Sequence, residues 1–436
     1  MTTDIRSITI IGGGTMGSGI AAAAAAKGRD VTILEGDEVA AGKARERTLA
    51  AAKDEAERLA IDGRLKVLPL SEGDRAVSEA DWICEAIIED LEAKRSLFRR
   101  LESLRKPGSV VSTNTSGIPL AAIAAGFPER FRRDLVVTHF FNPVRVMRLL
   151  EIVPGADTDP AVVAALAGFC REVLGKGVVH AKDTVNFIAN RIGCFWMLAG
   201  LHKAKPYFAD GLTPEAIDAL MGAPVGLPST GLYGLIDLIG LDVMDFVGRN
   251  LVKNLPAGDI GLPFTAFPGA EQVLLARGQL GRKSGGGFYR VVKEADGSKR
   301  KETFDLGRDE WRTWQAAILP PSAADAPTLL FAEDAAGRFA WDLLGETLLY
   351  AADLVPEIAD DPVNIDRAMR WGFNWQRGPF ELLDHIDPAR VIARLEAAGR
   401  RLPRMLSVLK DSGAATFYRD GGYLGPDGAY HPIPVE

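Results

Sequence analysis

Short apolar, β-branched runs separated by stretches of helical period fill the first 185 residues. Residues 7–11, 30–34, 82–86, 109–112, 135–138, 147–153 and 177–180 read as strands. Apolar runs of this length bounded by turn signals suit a sheet covered on both faces. An alanine-rich helix is expected from about Ser18 to Lys27. Residues 37–64 are long for a connection and heavily charged, which predicts a helical excursion with a solvated face. The pattern changes after Asp183. Residues 187–203 are apolar with helical period, and strand signals become sparse. Residues 293–301 are polar and read as a linker, and a second helical region begins near Ala335.

The two helical regions resemble each other. The first has Ala216-Ile217-Asp218-Ala219-Leu220-Met221, a loop with Gly226, then Gly234-Leu235-Ile236-Asp237-Leu238-Ile239. The second has Asn364-Ile365-Asp366-Arg367-Ala368-Met369, a loop with Gly372, then Phe380-Glu381-Leu382-Leu383-Asp384-His385-Ile386. Each begins with an apolar helix, at Phe187 and at Phe339. Asn190 in the first falls where Asp342 stands in the second.

Candidate chemistry starts at the first turn. The run 7–11 leads directly into Gly12-Gly13-Gly14-Thr15-Met16-Gly17, then the alanine helix, a second strand and Glu35. Strand, Gly-x-Gly-x-x-Gly, helix, strand and acid is a dinucleotide-binding layout. Gly12 permits the tight turn, Gly14 lets backbone approach a pyrophosphate, and Gly17 lets the helix pack on the strand. The helix start, at Thr15 and Met16, supplies amides to the phosphates. Glu35 is placed for the ribose hydroxyls and disfavours a 2′-phosphate, so NAD is the expected cofactor.

His139-Phe140-Phe141-Asn142-Pro143 follows the apolar run 135–138, and Glu151 lies in the next one. A strand, turn and strand can bring imidazole and carboxylate together, making a general base whose tautomer is set by its partner. The alternative is a core histidine satisfied by a backbone carbonyl.

Composition bears on what remains. The 436 residues are 47% hydrophobic with a net charge of −7. Such acidity argues against broad nucleic-acid binding. No apolar run is long enough for membrane insertion, and residues 1–10 lack a signal-peptide layout. Cys84, Cys170 and Cys194 show no metal-ligand spacing, so no metal site and no disulfide framework are expected. A cytoplasmic enzyme fits this balance.

Together these residues closely resemble the L-3-hydroxyacyl-CoA dehydrogenase family of fatty-acid β-oxidation, over nearly the whole chain. The stretch from His139 to Glu151 matches the family's catalytic signature. Glu89-Asp90-Leu91-Glu92-Ala93-Lys94 matches the segment whose Glu and Lys contact the nicotinamide side. Asn114-Thr115-Ser116 matches the loop whose serine lies between cofactor and substrate. Asn190-Arg191 matches the helix whose asparagine faces substrate, and Lys283 matches a further cofactor contact. Taken singly, Glu89, Lys94, Ser116, Asn190 and Lys283 also suit ordinary helix charges, caps and loop residues.

The resemblance implies His139, Glu151, Ser116 and Asn190 as catalytic residues. It implies Gly12, Gly14, Thr15, Met16, Gly17, Glu35, Glu89, Lys94, Ser116, Asn142 and Lys283 as cofactor contacts. The two helical copies resemble larger bacterial members that continue into a hydratase. The implied partners are an acyl-CoA substrate and a hydratase domain or subunit, with the chain a monomer with internally paired copies or a homodimer. Two departures stand out. Val185-Asn186 replaces the family's common Pro-Gly, and Arg145 replaces a common proline, as a substrate determinant or a solvent-facing turn residue.

The expected fold is an α/β Rossmann-like NAD-binding domain followed by two related all-α domains. The boundaries are 1–185, 186–292, a linker at 293–334, 335–420, and a tail at 421–436. The proline-rich tail reads as a linker, and no residues remain for a hydratase core, so no hydratase activity is expected. Two other readings stay open. One is a dehydrogenase of a small hydroxy acid without CoA; the other is a non-catalytic NAD-binding protein.

Overall fold

The computed structural model describes residues 4–436. They divide into two compact units. The first runs to Ile188 and includes Glu357–Ala359 and Val435–Glu436; the second is Ala189–Pro356 with Asp360–Pro434. The first compact unit's main segment ends at Ile188, three residues past the expected 185.

The first unit is an α/β layer structure around an eight-stranded sheet. Its strands are β1 (Ser7–Ile11), β2 (Asp30–Glu35), β3 (Leu65–Pro69), β4 (Trp82–Glu85), β5 (Val110–Thr113), β6 (Leu135–Phe140), β7 (Leu149–Pro154) and β8 (Gly177–His180). Their order is β3-β2-β1-β4-β5-β6-β7-β8. Neighbours are parallel except β6 and β7, which pair antiparallel. Ile8, Ile10, Ile33, Trp82, Val136 and Leu150 are buried in one core cluster with the helix Thr15–Ala25. The helix's alanines let its backbone come close to the sheet. Each large side chain buried there contributes roughly 1.5–3 kcal/mol. Strand β3 was absent from the expected set. It is a half-buried edge strand with Lys66 exposed, so it lacks the apolar run that marked the others.

The charged stretch 37–64 is two helices, Glu38–Ala50 and Glu55–Asp62, capped by the side chains of Asp37 and Asp54. Arg145 belongs to this excursion rather than to solvent or to a substrate pocket. Its guanidinium meets both oxygens of Glu57 at 2.7 and 2.8 Å and the carbonyl of Ala51 at 2.6 Å. The hydrogen bond from Arg145 holds the Glu57 carboxyl down at about 2.

The second unit is mainly helical. Its long helix, Ala189–Ala209, is buried along most of its length. The two expected helical domains meet on this helix inside one unit. A Cβ on Gly193 would lie 1.9 Å from the ring of Phe373, and one on Gly200 would crowd Leu232 at 2.7 Å and Leu343 at 3.2 Å. Arg191 is buried against Asp259 at 2.6 Å and Tyr350 at 2.5 Å. Side chains from both halves therefore share one core.

The unit is not all-α. Strands β9 (Tyr289–Lys293), β10 (Lys299–Asp305) and β11 (Glu310–Thr313) form an antiparallel sheet where a linker was expected. The polar residues 294–298 are its turn, with Gly297 at φ +82°. The expected tail likewise contains strands, within residues 418–432. Gly422–Leu424 pairs antiparallel with Tyr418–Arg419 and Tyr430–Pro432, closing a hairpin through the turn at 425–428. Polar composition concealed both hairpins because each exposes most of its surface.

Among the described residues no helix is long and apolar enough to cross a membrane. No group of three or more His, Cys, Asp and Glu among them could hold a metal ion. All three cysteines are free and buried, and burial pushes the Cys84 and Cys194 thiols up to about 12.

Candidate active site

The site residues of the first unit gather at the carboxyl ends of β1, β2, β4, β5 and β6, with Glu151 on β7 opposite His139. The turn after β1 uses each glycine differently. Gly12 has φ +95°, and a Cβ there would stand 2.7 Å from the carbonyl oxygen of Ala86. A Cβ on Gly17 would lie 1.8 Å from the carbonyl oxygen of Gly12. Gly14 faces open space, with nothing within 4 Å of its would-be Cβ. The helix that begins at Thr15 has no side-chain cap and no acid in its first turn. The helices at 38, 55 and 91 are all capped by aspartates. An uncapped helix start beside open space is an anion site, which suits a dinucleotide's pyrophosphate. Glu35 ends β2 and accepts from the Gly13 amide at 2.6 Å and the Gly36 amide at 3.2 Å, which fixes its carboxylate at the glycine turn.

His139 and Glu151 are direct partners across the antiparallel pair β6–β7. Side chains at such positions point to the same face. His139 Nδ1 lies 2.6 Å from Glu151 Oε2. Glu151 is fully buried, and its other oxygen accepts from the Ile188 amide at 3.1 Å. The imidazole packs edge-on to Phe141 and Phe187, with ring centroids at 4.6 and 5.5 Å. A neutral ring that donates its Nδ1–H to the carboxylate keeps a lone pair on Nε2. That nitrogen can take a proton, and the carboxylate stabilises the imidazolium that forms.

A second carboxylate group organises the neighbouring loop. Glu89 accepts from Thr115 Oγ1 at 2.5 Å, the Ser116 amide at 3.0 Å and the Gly117 amide at 2.9 Å. Burial alone would raise the Glu89 carboxyl, but the Lys94 charge and these donors outweigh it and hold the group below its ordinary value. Lys94 is 1% exposed, with its ammonium 2.7 Å from Glu85 and 3.2 Å from Glu89. Lys94 therefore fixes Glu89 rather than facing solvent. Ser116 is exposed on the loop so positioned. Asn142 is exposed just past His139.

Three residues of this cluster were not anticipated. Glu85, fully buried, also accepts from Thr113 Oγ1 at 2.5 Å and the Ile87 amide at 2.7 Å. An acid ending the apolar run 82–84 was its available signal. Asn114 Oδ1 accepts from the Phe140 amide at 3.0 Å, tying the end of β5 to the end of β6. Lys176 is buried and donates to the carbonyls of Val144 and Met147, bracing the loop between β6 and β7. Burial pulls its ammonium down to about 8. Nothing in the sequence around Lys176 marked it.

Asn190 and Lys283 belong to the helical unit. Asn190 is half-buried in the first turn of the helix Ala189–Ala209, and Lys283 pairs with Asp242 at 2.5 Å.

Comparison with known proteins gives this arrangement a family. Residues 7–184 match the model of the 3-hydroxyacyl-CoA dehydrogenase NAD-binding domain, and residues 187–291 match that of the family's C-terminal domain. A Bacillus subtilis protein named "Probable 3-hydroxyacyl-CoA dehydrogenase" is 36% identical over 96% of this chain and 56% of its own length. A Deinococcus radiodurans protein of the same name is 35% identical over 69% of this chain and 86% of its own. The crystal structure of 3-hydroxybutyryl-CoA dehydrogenase from Escherichia coli superposes with a TM-score of 0.69 at 25% identity, covering 94% of this chain and 98% of that one. The chain spans about half the length of the first curated relatives it matches. With an NAD-binding first domain and the matching C-terminal domain behind it, the chain belongs to the 3-hydroxyacyl-CoA dehydrogenase family.

Proposed function

We propose that this chain oxidises L-3-hydroxyacyl-CoA to 3-ketoacyl-CoA with NAD, as in fatty-acid β-oxidation. The observation that carries the reading is the buried His139–Glu151 pair at 2.6 Å, at the same sheet end as the open glycine turn. NAD, when bound, supplies the hydride acceptor. The residues that would hold it are Gly12, Gly14, Thr15, Met16 and Gly17 at the phosphates and Glu35 at the adenine ribose. Glu89, Lys94, Ser116 and Asn142 serve the nicotinamide side, with Lys283 as a further contact. The Glu35 carboxylate disfavours a 2′-phosphate. His139 Nε2 takes the hydroxyl proton of the substrate. Glu151 keeps the ring in the tautomer that leaves Nε2 free, and its charge stabilises the imidazolium. Ser116 and Asn190 hydrogen-bond the substrate oxygens.

We also infer that the helical unit carries two copies of one element. What supports this is a repeated bonding pattern. Asp218 accepts from the Tyr233 and Gly234 amides and the Tyr289 hydroxyl, and Asp237 accepts from the Phe288 and Tyr289 amides. Asp366 accepts from the Phe380 and Glu381 amides and the Tyr418 hydroxyl, and Asp384 accepts from the Phe417 and Tyr418 amides. The second copy keeps the scaffold and places Asp342 where the first has Asn190. The substrate's hydroxyl would come from hydration of an enoyl-CoA, so a hydratase domain or subunit is the partner of choice.

The test follows NADH absorbance with 3-hydroxyacyl-CoAs of several lengths and with the free hydroxy acids. CoA esters should saturate at micromolar concentration and the free acids only at millimolar. His139→Gln should lower turnover at least a hundred-fold, on the order expected for lost general-base catalysis. Its NAD affinity should stay within about two-fold of the wild type, since the ring lies outside the glycine turn. Near-normal turnover in that variant would end the assignment.

A further inference from the structure

The helical unit contains a cavity of about 670 Å3, and all of its lining residues belong to that unit. That volume falls within the range of small-molecule sites, roughly 300–1,000 Å3. The lining carries both acids and bases, so its character depends on which of them are already spent. The acids are. Glu215 takes the Arg312 guanidinium on both oxygens at 2.7 and 2.6 Å and the Thr303 hydroxyl at 2.7 Å. Asp218 and Asp237 accept the amide and hydroxyl bonds already described, five between them. One base, Arg290, is also spent, at 2.6 Å from Glu302.

Lys301 and Arg282 are different. The Lys301 ammonium rests over two ring faces, 4.4 Å from the Trp314 centroid and 5.0 Å from that of Tyr289. Ring faces hold a cation in place without neutralising it. Among the described residues neither Lys301 nor Arg282 forms an ion pair with a carboxylate. Arg282 acts on Asp237 only through its charge, opposing the burial that raises this carboxyl to about 6. The rest of the wall combines an apolar part, the Trp314 ring with Ala219, Val291, Ala316 and Ala317, with the hydroxyl residues Ser229 and Thr230.

One cation held over two ring faces, a second, exposed cation without an ion pair, acids already bonded and a partly apolar wall describe a receptor for an anion with an apolar body. We propose that this cavity binds a nucleotide-sized phosphate ester, its phosphate oxygens on Lys301 and Arg282 and its body on the wall around Trp314. Phosphate suits this pair because the guanidinium can offer two parallel donors and the ammonium a point charge. The inference goes beyond the dehydrogenase reading, since it uses neither the glycine turn nor the His139–Glu151 pair. Two sources carry this chemistry: a free nucleotide, and the phosphorylated nucleotide end of a CoA ester.

Titration calorimetry on the full chain at saturating NAD tests it, with ADP and adenosine 3′,5′-bisphosphate as probes. One equivalent of probe should bind with a submillimolar Kd. Lys301→Ala and Arg282→Gln should each weaken it on the order of ten-fold, and Lys301→Arg should retain it. The NAD affinity of Lys301→Ala, measured separately, should match the wild type, so a failed cavity and a failed dinucleotide site are distinguished. Tighter binding of the bisphosphate, displaced by acetoacetyl-CoA, identifies the CoA end as the source. Tighter binding of ADP, undisturbed by acetoacetyl-CoA, identifies a free nucleotide. Absence of binding at millimolar probe overturns the proposal. So does binding that is unchanged in both Lys301→Ala and Arg282→Gln, which would place the probe elsewhere.

Discussion

Asn186 and Phe187 both occupy left-handed backbone, at φ +60° and +52°. This explains the Val185-Asn186 departure in physical terms. A glycine has no Cβ to clash at positive φ, and asparagine is the side chain that tolerates the region best after it. Asn186→Gly should therefore leave unfolding stability within about 1 kcal/mol of wild type, whereas Asn186→Val should lose on the order of 1–2 kcal/mol. Urea denaturation reads both, and equal stabilities would refute the account. Lys94 makes a sharper prediction. Its removal as Lys94→Met leaves Glu85 fully buried without its cation, at a cost of about 3–5 kcal/mol. Adding Glu85→Gln should recover part of that loss. A double variant no more stable than the single would show that the pair is not coupled. At this scale the sequence was legible where a residue type has few uses. His139 and Glu151 were such residues. Glu85, Asn114 and Lys176 were not, because their roles depend on partners 9 to 32 positions away in the chain.

The helix Gly269–Ala276 turns an acid inward. Glu271 is 3% exposed, and burial raises its carboxyl to about 7, the Lys205 charge offsetting this only in part. Its ordinary value is 4.5. Between those two pH values the folded chain keeps a proton that the unfolded chain has released. Stability from this group is therefore full below pH 4.5, falls as pH rises toward 7, and stays low above it. Glu271→Gln removes the titration. The variant should exceed the wild type at pH 8 by on the order of 2–3 kcal/mol, with a smaller gap at pH 5. Denaturant melts at the two pH values decide this, and a gap independent of pH would sink it. The same contrast governed how well elements were read. Strands buried on both faces, such as β4 and β6, appear as apolar runs. The edge strand β3 is only half-buried and gave no strand signal, while the hairpins at 289–313 and 418–432 bury one side or less, and their polar residues read as linkers.

At the scale of the whole molecule, the proposal of two helical copies assigns scaffold to one and chemistry to the other. Asp342 accepts the Tyr207 hydroxyl inside the second unit, while Asn190 opens the long helix half-buried. Asn190→Ala should lower turnover with little change in melting temperature. Asp342→Ala strands a partly buried hydroxyl and should cost about 1–3 kcal/mol of stability with turnover nearly intact. Paired kinetics and melting curves test the division, and a reversal of the two effects would assign the copies the other way. The chain by itself determined the α/β alternation around a buried sheet, the glycine turn with Glu35, and a strand, turn and strand able to oppose His139 and Glu151. These are set by strand periodicity and by residues close in sequence. Only the tertiary structure decided that Arg145 clamps the helical excursion and that Lys94 is locked between two acids. It alone joined both helical halves into one unit and emptied the acids around the Lys301 cavity of free acceptors. Each of those facts depends on which distant partner satisfies a buried charge or fills the space beside a glycine, and local pattern carries no information about that choice.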